Sequence, residues 1–131
     1  MNSPSFDIKD LITESSGGTF EFGVNLFCYK QLDSPDLCIT LYDTGGYQQE
    51  QNYVLERPTI QALIRGNQNN YQEAYDLAYA LKEKLKTTYN QTVNGTRYLQ
   101  IVDQSDVFFT GWDSKNRPQF TINFRIMRTT T

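Results

Sequence analysis

The stretch QFTINFRIMR, residues 119–128, sets the fold class, because apolar and polar side chains alternate along most of its length. One face holds only large apolar side chains: Phe120, Ile122, Phe124 and Ile126. The other face holds shorter or polar side chains: Thr121, Asn123 and Arg125. A period of two over this length predicts a β-strand with one buried face. The protein therefore needs a sheet whose apolar side is covered.

The segment 70–89 has the pattern of an amphipathic helix that can provide such cover. Asn70 followed by Glu73 resembles a capping box with Asn at the cap position. Small and aliphatic residues at helical spacing define a buried stripe: Ala74, Leu77, Ala78, Leu81 and Leu85. A second stripe beside it, either at the core boundary or against a neighbouring subunit, is formed by three tyrosines: Tyr71, Tyr75 and Tyr79.

Shorter segments complete the expected architecture. Strands are expected at 59–65, 97–103 and 106–112, and a β-hairpin at 20–28 and 37–42. An N-terminal helix and turn, 1–18, begins at Ser3-Pro4 and ends at Gly17-Gly18. The order α-β-β-β-α-β-β-β predicts an α+β fold, with a mixed, mostly antiparallel sheet of about five to six strands packed against two helices. The 131 residues fit a single domain that contains a long loop at 43–57.

The register of the expected hairpin bears on the two cysteines. Pairing Leu26 with Ile39 places the aliphatic side chains of both strands on one face. Cys28 then lies opposite Leu37, and Cys38 turns to the other face. The sequence therefore predicts two free thiols.

Composition excludes several classes of function. The chain has no histidine, so the commonest general base and metal ligand are missing, and two cysteines cannot build a four-cysteine zinc site. We expect no catalytic residue, no metal and no cofactor. The net charge is −3 and the basic residues are scattered, whereas gripping a duplex requires clustered positive charge. No apolar run is long enough to span a bilayer and no signal peptide is evident, so we expect a cytoplasmic protein without a membrane partner.

One motif resembles a catalytic one. Asp43-Thr44-Gly45 follows an apolar strand, as in pepsin-like and retroviral proteases, where two such aspartates share a proton and activate water. A dimer of this chain could supply two. However, Tyr42 and Gly46 depart from the aliphatic and small residues of the protease pattern, and Asp-Thr-Gly-Gly is also good turn chemistry after a strand. A dimeric aspartic protease remains the alternative from another functional class.

The middle of the chain resembles a viral structural family. Tyr42 to Gly46 reads Tyr-Asp-Thr-Gly-Gly and is followed by a Gln-rich stretch and an Ala-rich amphipathic helix. Between them, residues 58–66 match the pattern Pro-x-x-Gln-x-x-x-Arg-Gly. This arrangement, over about residues 20–90, resembles the tail terminator and minor capsid proteins of long-tailed, siphovirus-type bacteriophages.

The resemblance implies a structural virion protein of the tail and neck, assembled in the host cytoplasm. Such a subunit would form a ring, usually a hexamer, that caps the tail tube, contacts the major tail tube protein and joins the head–tail connector or stopper protein. DNA would pass through the lumen as a neighbour only. The family has no active site to carry over. A head-completion or other minor capsid protein of the same neck is the nearest alternative, with a different docking partner.

A ring needs a heterologous interface, in which one patch meets a different patch on the neighbour. We expect the 43–57 loop to reach a neighbour or docked partner, although an exposed loop without a partner has the same sequence pattern. The candidate contact residues are Asp43, Thr44, Tyr47, Gln48, Gln49, Arg57, Arg65, Tyr71, Tyr75 and Tyr79.

Overall fold

The computed structural model describes residues 1–47 and 55–129. Within these residues the chain forms two helices and seven strands, in the order α1 (Pro4–Ser15), β1 (Leu26–Cys28), β2 (Cys38–Tyr47), β3 (Leu55–Arg65), α2 (Tyr71–Leu85), β4 (Tyr89–Val93), β5 (Thr96–Asp103), β6 (Phe108–Trp112) and β7 (Pro118–Thr129). The predicted α+β class, with two helices and a mixed, mostly antiparallel sheet, is confirmed. The strand missing from the prediction is β4, because the helical pattern was extended to Tyr89 whereas α2 ends at Leu85.

The strand that contains the alternating segment 119–128, β7, lies in the middle of the sheet. The strand order is β1-β2-β3-β7-β5-β4. β7 pairs antiparallel with β3 along one edge, and its other edge is shared by β6 and β5. Its apolar side chains are almost fully buried: Phe120, Ile122, Phe124 and Ile126. Burying each such side chain contributes about 1.5–3 kcal/mol, which explains why the alternation is so strict here.

Both helices pack on the same side of the sheet, which we call the helix face. The core between them contains Ile8 and Ile12 of α1, Ala74 and Leu81 of α2, and inward side chains of the strands, including Ile60. α2 begins as predicted, since the Asn70 side chain accepts the backbone N–H of Glu73 at 3.2 Å. No helix formed by residues 1–47 or 55–129 covers the opposite side of the sheet, which we call the open face.

The predicted hairpin between 20–28 and 37–42 is wrong. β1 has only three residues and runs parallel to β2, with Leu26 beside Ile39. Residues 21–25 form turns instead of a strand: Gly23 has a positive φ of 85°, and the Asn25 side chain accepts the backbone N–H of Glu21 at 2.8 Å. The expected pairing of Leu26 with Ile39 is present, but β1 runs parallel to β2 and not antiparallel to it.

The two cysteines are free, as predicted, and both are buried. Because β1 and β2 are parallel, Cys28 lies beside Leu41 and not beside Leu37. Burial, the largest influence, raises the pKa of the Cys28 thiol to about 11 and also raises the pKa of Cys38. Neither thiol is therefore a ready nucleophile at neutral pH.

The predicted 43–57 loop is wrong at both of its ends. Its first residues belong to β2, which continues to Tyr47, and its last belong to β3, which begins at Leu55. A bulge between Asp43 and Gly46 hid this extension, because it breaks the alternation. Gly46 has a φ of 124°, and a Cβ there would lie 2.5 Å from the carbonyl oxygen of Arg57. Only glycine fits that close approach. Residues 48–54 lie outside the described part of the chain.

Neither α1 nor α2, the helices formed by residues 1–47 and 55–129, is long and apolar enough to cross a membrane.

Candidate functional site

Asp43, the residue of the protease-like motif, binds the beginning of a helix. Its Oδ1 accepts the backbone N–H of Ser5 at 2.9 Å, and its Oδ2 accepts the Ser5 hydroxyl at 3.0 Å. Ser5 is in the first turn of α1, where backbone N–H groups lack helical partners and the helix dipole favours a negative charge. Ser3, the predicted cap residue, makes no side-chain cap bond. Asp43 therefore caps α1 from a distant strand.

The rest of the β2 end lies on the surface. The hydroxyls of Thr44 and Thr59 are 2.7 Å apart, which joins β2 to β3 beside the bulge. Tyr47 is exposed, and its hydroxyl accepts the side-chain N–H of Gln104 at 3.2 Å. The two other residues predicted for this surface, Gln48 and Gln49, lie outside the described residues.

Tyr47 and Arg57 line a cleft of about 350 Å³ across the strand ends. β7 contributes Arg125 and Met127 to its wall, and β5 contributes Gln100 and Val102. The cleft was not predicted, because it is formed by strands far apart in sequence. The sequence did predict that Arg125 points away from the core, because it lies on the polar side of the alternating segment 119–128.

Arg65, a predicted contact residue, is used inside the subunit. It is only 2% exposed, and its guanidinium donates to the carbonyl oxygens of Pro35 at 2.6 Å and Asp36 at 3.0 Å. Arg117 holds the same loop, donating to the carbonyl oxygen of Asp33 at 2.6 Å. The two guanidiniums therefore fix the 29–37 connection that returns the chain to the start of β2.

The tyrosine stripe of α2 lies at the boundary of the core. Tyr71 and Tyr75 both pack edge-on against Phe120, with ring centroids 5.0 and 5.8 Å away. Tyr79 stacks on Tyr75 at 6.4 Å and is 46% exposed. Tyr75 therefore lies at the core boundary, which was one of the two roles considered for the stripe. Tyr79 exposes about half of its surface to a partner or to solvent.

Three exposed aromatic residues on β4 and β6 were missed by the sequence reasoning. Tyr89 is 81% exposed on β4, Phe108 is 63% exposed on β6, and Trp112 is 48% exposed at the end of β6. The adjacent pair Phe108 and Phe109 offered a signal, because neighbours on a strand point to opposite faces and only one can be buried. Exposed aromatic side chains are typical of protein interfaces.

A buried polar network joins the N-terminal helix to the central sheet. Asp7 is fully buried and accepts hydrogen bonds from the Tyr98 hydroxyl and, at 2.8 Å, from the Asn94 amide. Arg128 donates to the Tyr98 hydroxyl at 3.4 Å and to Glu56 Oε1 at 2.9 Å. Burial first, and then the hydrogen bond to Asp7, raise the pKa of Tyr98. The network is saturated by internal partners, which is typical of a structural role.

Among residues 1–47 and 55–129, no group of three or more Cys, Asp or Glu side chains could hold a metal ion.

Comparison with known proteins identifies the family. A solved structure aligns with 93% of this chain and 89% of its own, at a TM-score of 0.52 and 9% sequence identity, which shows a shared fold alone. No curated protein sequence matches the chain. A family model described as "Bacteriophage tail terminator protein" matches residues 9–130. Because that match spans nearly the whole chain, the protein belongs to the bacteriophage tail terminator family and is a structural component of a phage tail.

Proposed function

We propose that the chain is the ring-forming subunit that ends the phage tail tube and joins it to the head connector. The observation that supports this role most strongly is the family match over residues 9–130. In this proposal DNA passes through the ring without being gripped, which fits a net charge of −3. The subunit acts by assembly in the host cytoplasm and not by catalysis.

The surface of the subunit supports an assembling role. Tyr89, Phe108 and Trp112 expose a large part of their rings, which is costly in water and is relieved when a partner covers them. The end of the β2–β3 pair, with Thr44, Tyr47 and Arg57, is the surface that we assign to a neighbour or docked partner. Asp43 is part of this surface but also caps α1, so its effect on assembly would act partly through the fold.

The experiment that tests this function measures tube length. Purified major tail tube protein of the same phage is polymerised with and without the chain, and the products are examined by negative-stain electron microscopy. We expect a ring at one end of each tube and a shorter, narrower length distribution. Tubes that grow unchanged and carry no terminal density would refute the tail-terminating role. Density that appears only on the head connector would favour the head-completion alternative.

A further inference from the structure

We propose that the open face of the sheet binds the outer surface of α2 from a second copy of the chain. The inference rests on the proposed ring, and it assigns the two surfaces that meet between neighbours. The outer α2 surface is defined here as Gln72, Asp76, Tyr79 and Glu83, which are all exposed and follow one another at helical spacing.

On the described parts of β3, β7 and β5, the open face has positive charge and no carboxylate. Its side chains on β3, β7 and β5 are neutral or basic: Thr59, Gln61, Leu63, Thr121, Asn123, Arg125, Met127, Gln100 and Val102. Arg125 is exposed and forms no ion pair with any carboxylate of residues 1–47 or 55–129. Arg57 lines the same cleft. This is unusual for a chain in which acidic residues outnumber basic ones.

The carboxylates of β2, β3 and β5 lie on the helix face or next to it, where each has an internal partner. Asp43 caps α1, Glu56 pairs with Arg128 at 2.9 Å, and Asp103 lies 3.7 Å from Lys86. These carboxylates and Arg125 therefore lie on opposite sides of the sheet. Such segregation leaves the open face able to accept a negatively charged partner surface.

The outer α2 surface supplies that charge. Asp76 accepts only a neutral hydrogen bond, from the Gln72 amide at 2.8 Å, and Glu83 is 3.9 Å from Lys86. Tyr79 adds an exposed ring between the two carboxylates. The nearby Lys82 is occupied by Asp106 at 2.9 Å and does not cancel the charge. The surface thus combines an aromatic side chain with Asp76, which forms no ion pair within the described residues, and with Glu83, whose ion pair with Lys86 is long at 3.9 Å.

The two surfaces lie on opposite sides of the subunit, because α2 covers the helix face and presents its outer side away from the sheet. Contact between them is therefore heterologous and repeats from copy to copy, as a closed ring requires. The alternative pairing, open face on open face, would place Arg125 against its own copy. A cleft of about 350 Å³ also gives an entering side chain such as Tyr79 space on the open face.

Charge reversal tests this contact in the full-length chain. The variants are Arg125→Glu, Asp76→Arg and the double variant, with Lys30→Glu as the matched control, because Lys30 is an exposed lysine on the 29–37 loop. Assembly is measured by sedimentation velocity and negative-stain microscopy, both alone and on purified tail tubes. Urea midpoints verify that each variant folds.

We expect wild-type and Lys30→Glu chains to form rings, and each single reversal to weaken association by at least about tenfold, because like charges then face each other. The double variant should recover rings. An equimolar mixture of the two single variants should also recover them, since alternating copies place opposite charges at every contact. The loss should be smaller in high salt.

Three results would overturn the inference: rings formed by Arg125→Glu as by wild type, no recovery in the double variant, or no recovery in the mixture. If Arg125→Glu keeps its rings but loses salt-sensitive binding to duplex DNA, the open face lines the DNA passage instead. If wild-type chains form rings neither alone nor on tubes, the proposed function fails as well. The surface assignment and the ring are thus tested separately.

Discussion

Replacing Asp43 by alanine should destabilise the fold by about 1–2 kcal/mol, because it removes the cap of α1. The carboxylate accepts two hydrogen bonds from Ser5, at 2.9 and 3.0 Å. Loss of a helix cap costs about 0.5–2 kcal/mol, and a net hydrogen bond is worth about 0.5–1.5 kcal/mol. The Asp43 side chain is near water, which can replace part of the bond to the hydroxyl, so the total stays near the cap value alone. The melting temperature should fall by roughly 4–8 °C.

Two milder variants separate the contributions to this cap. Asp43→Asn keeps an oxygen that can accept the Ser5 backbone N–H but removes the negative charge near the helix N-terminus. It should cost about 0.3–1 kcal/mol. Ser5→Ala removes only the hydrogen bond from the Ser5 hydroxyl, and its cost in unfolding free energy should be similar to that of Asp43→Asn. Combined with Asp43→Ala, it should add little further loss, because both substitutions remove the same bond.

The assay is urea unfolding followed by far-ultraviolet circular dichroism, with midpoints compared at a common slope. An unchanged midpoint for Asp43→Ala would refute the capping role. A peptidase activity that disappears in Asp43→Ala at unchanged stability would instead support the aspartic protease alternative. The predicted order of stability is wild type, then Asn, then Ala.

Further predictions concern the buried groups. Tyr98→Phe should cost about 1–3 kcal/mol in urea unfolding, because it leaves the buried carboxylate of Asp7 without one donor. Arg117→Met should cost about 2–3 kcal/mol, because the guanidinium is buried and bonds Asp113 at 2.7 Å. Burial alone would raise the pKa of Asp113, but the hydrogen bonds from Arg117 and Lys115 lower it by more, so the net pKa lies below its usual range. The ionised Asp113 carboxyl therefore stabilises the fold fully at pH values above its unfolded pKa of about 3.9, and this stabilisation is lost as the pH falls through its lower pKa in the folded state. Urea midpoints measured at pH 7, 4 and 3 should therefore fall less with pH in Arg117→Met than in the wild type. Cys28, buried and with a pKa of about 11, should react with iodoacetamide at pH 8 only after unfolding, as followed by mass spectrometry.

Much of the fold was predictable because burial imposes a period on the sequence. The inward positions of β7 and the stripe of α2 are almost all buried, and the free thiols followed from the pairing of Leu26 with Ile39. Turn chemistry explains the failures. The bulge before Gly46 concealed the end of β2, and the turn at Gly23 shortened β1. Tyr89 begins a strand whose other residues are mostly exposed, so no apolar period marked it.

The candidate contact residues were less predictable, because exposure depends on neighbours that are distant in sequence. Arg65 alternates with core residues as an outward side chain should, yet the 29–37 loop folds over it and accepts its hydrogen bonds. Tyr75 and Tyr79 belong to one stripe but differ in exposure, because Phe120 covers only the first. The cleft beside Arg125 needs four strands brought together: β2, β3, β5 and β7.

Local order in the sequence thus established most of the helices and strands, which side of each is apolar, and that neither histidine chemistry nor a four-cysteine zinc site is available. It left the direction of β1 open, because side chains alternate with the same period of two in parallel and antiparallel strands. Long-range contacts then made β1 parallel to β2, turned Asp43 into a cap and enclosed Arg65. The same contacts left Arg125 exposed on the open face, without an ion pair to any carboxylate of residues 1–47 or 55–129. The physical reason is that period and polarity are properties of a segment, whereas direction, burial and charge pairing depend on what packs against it.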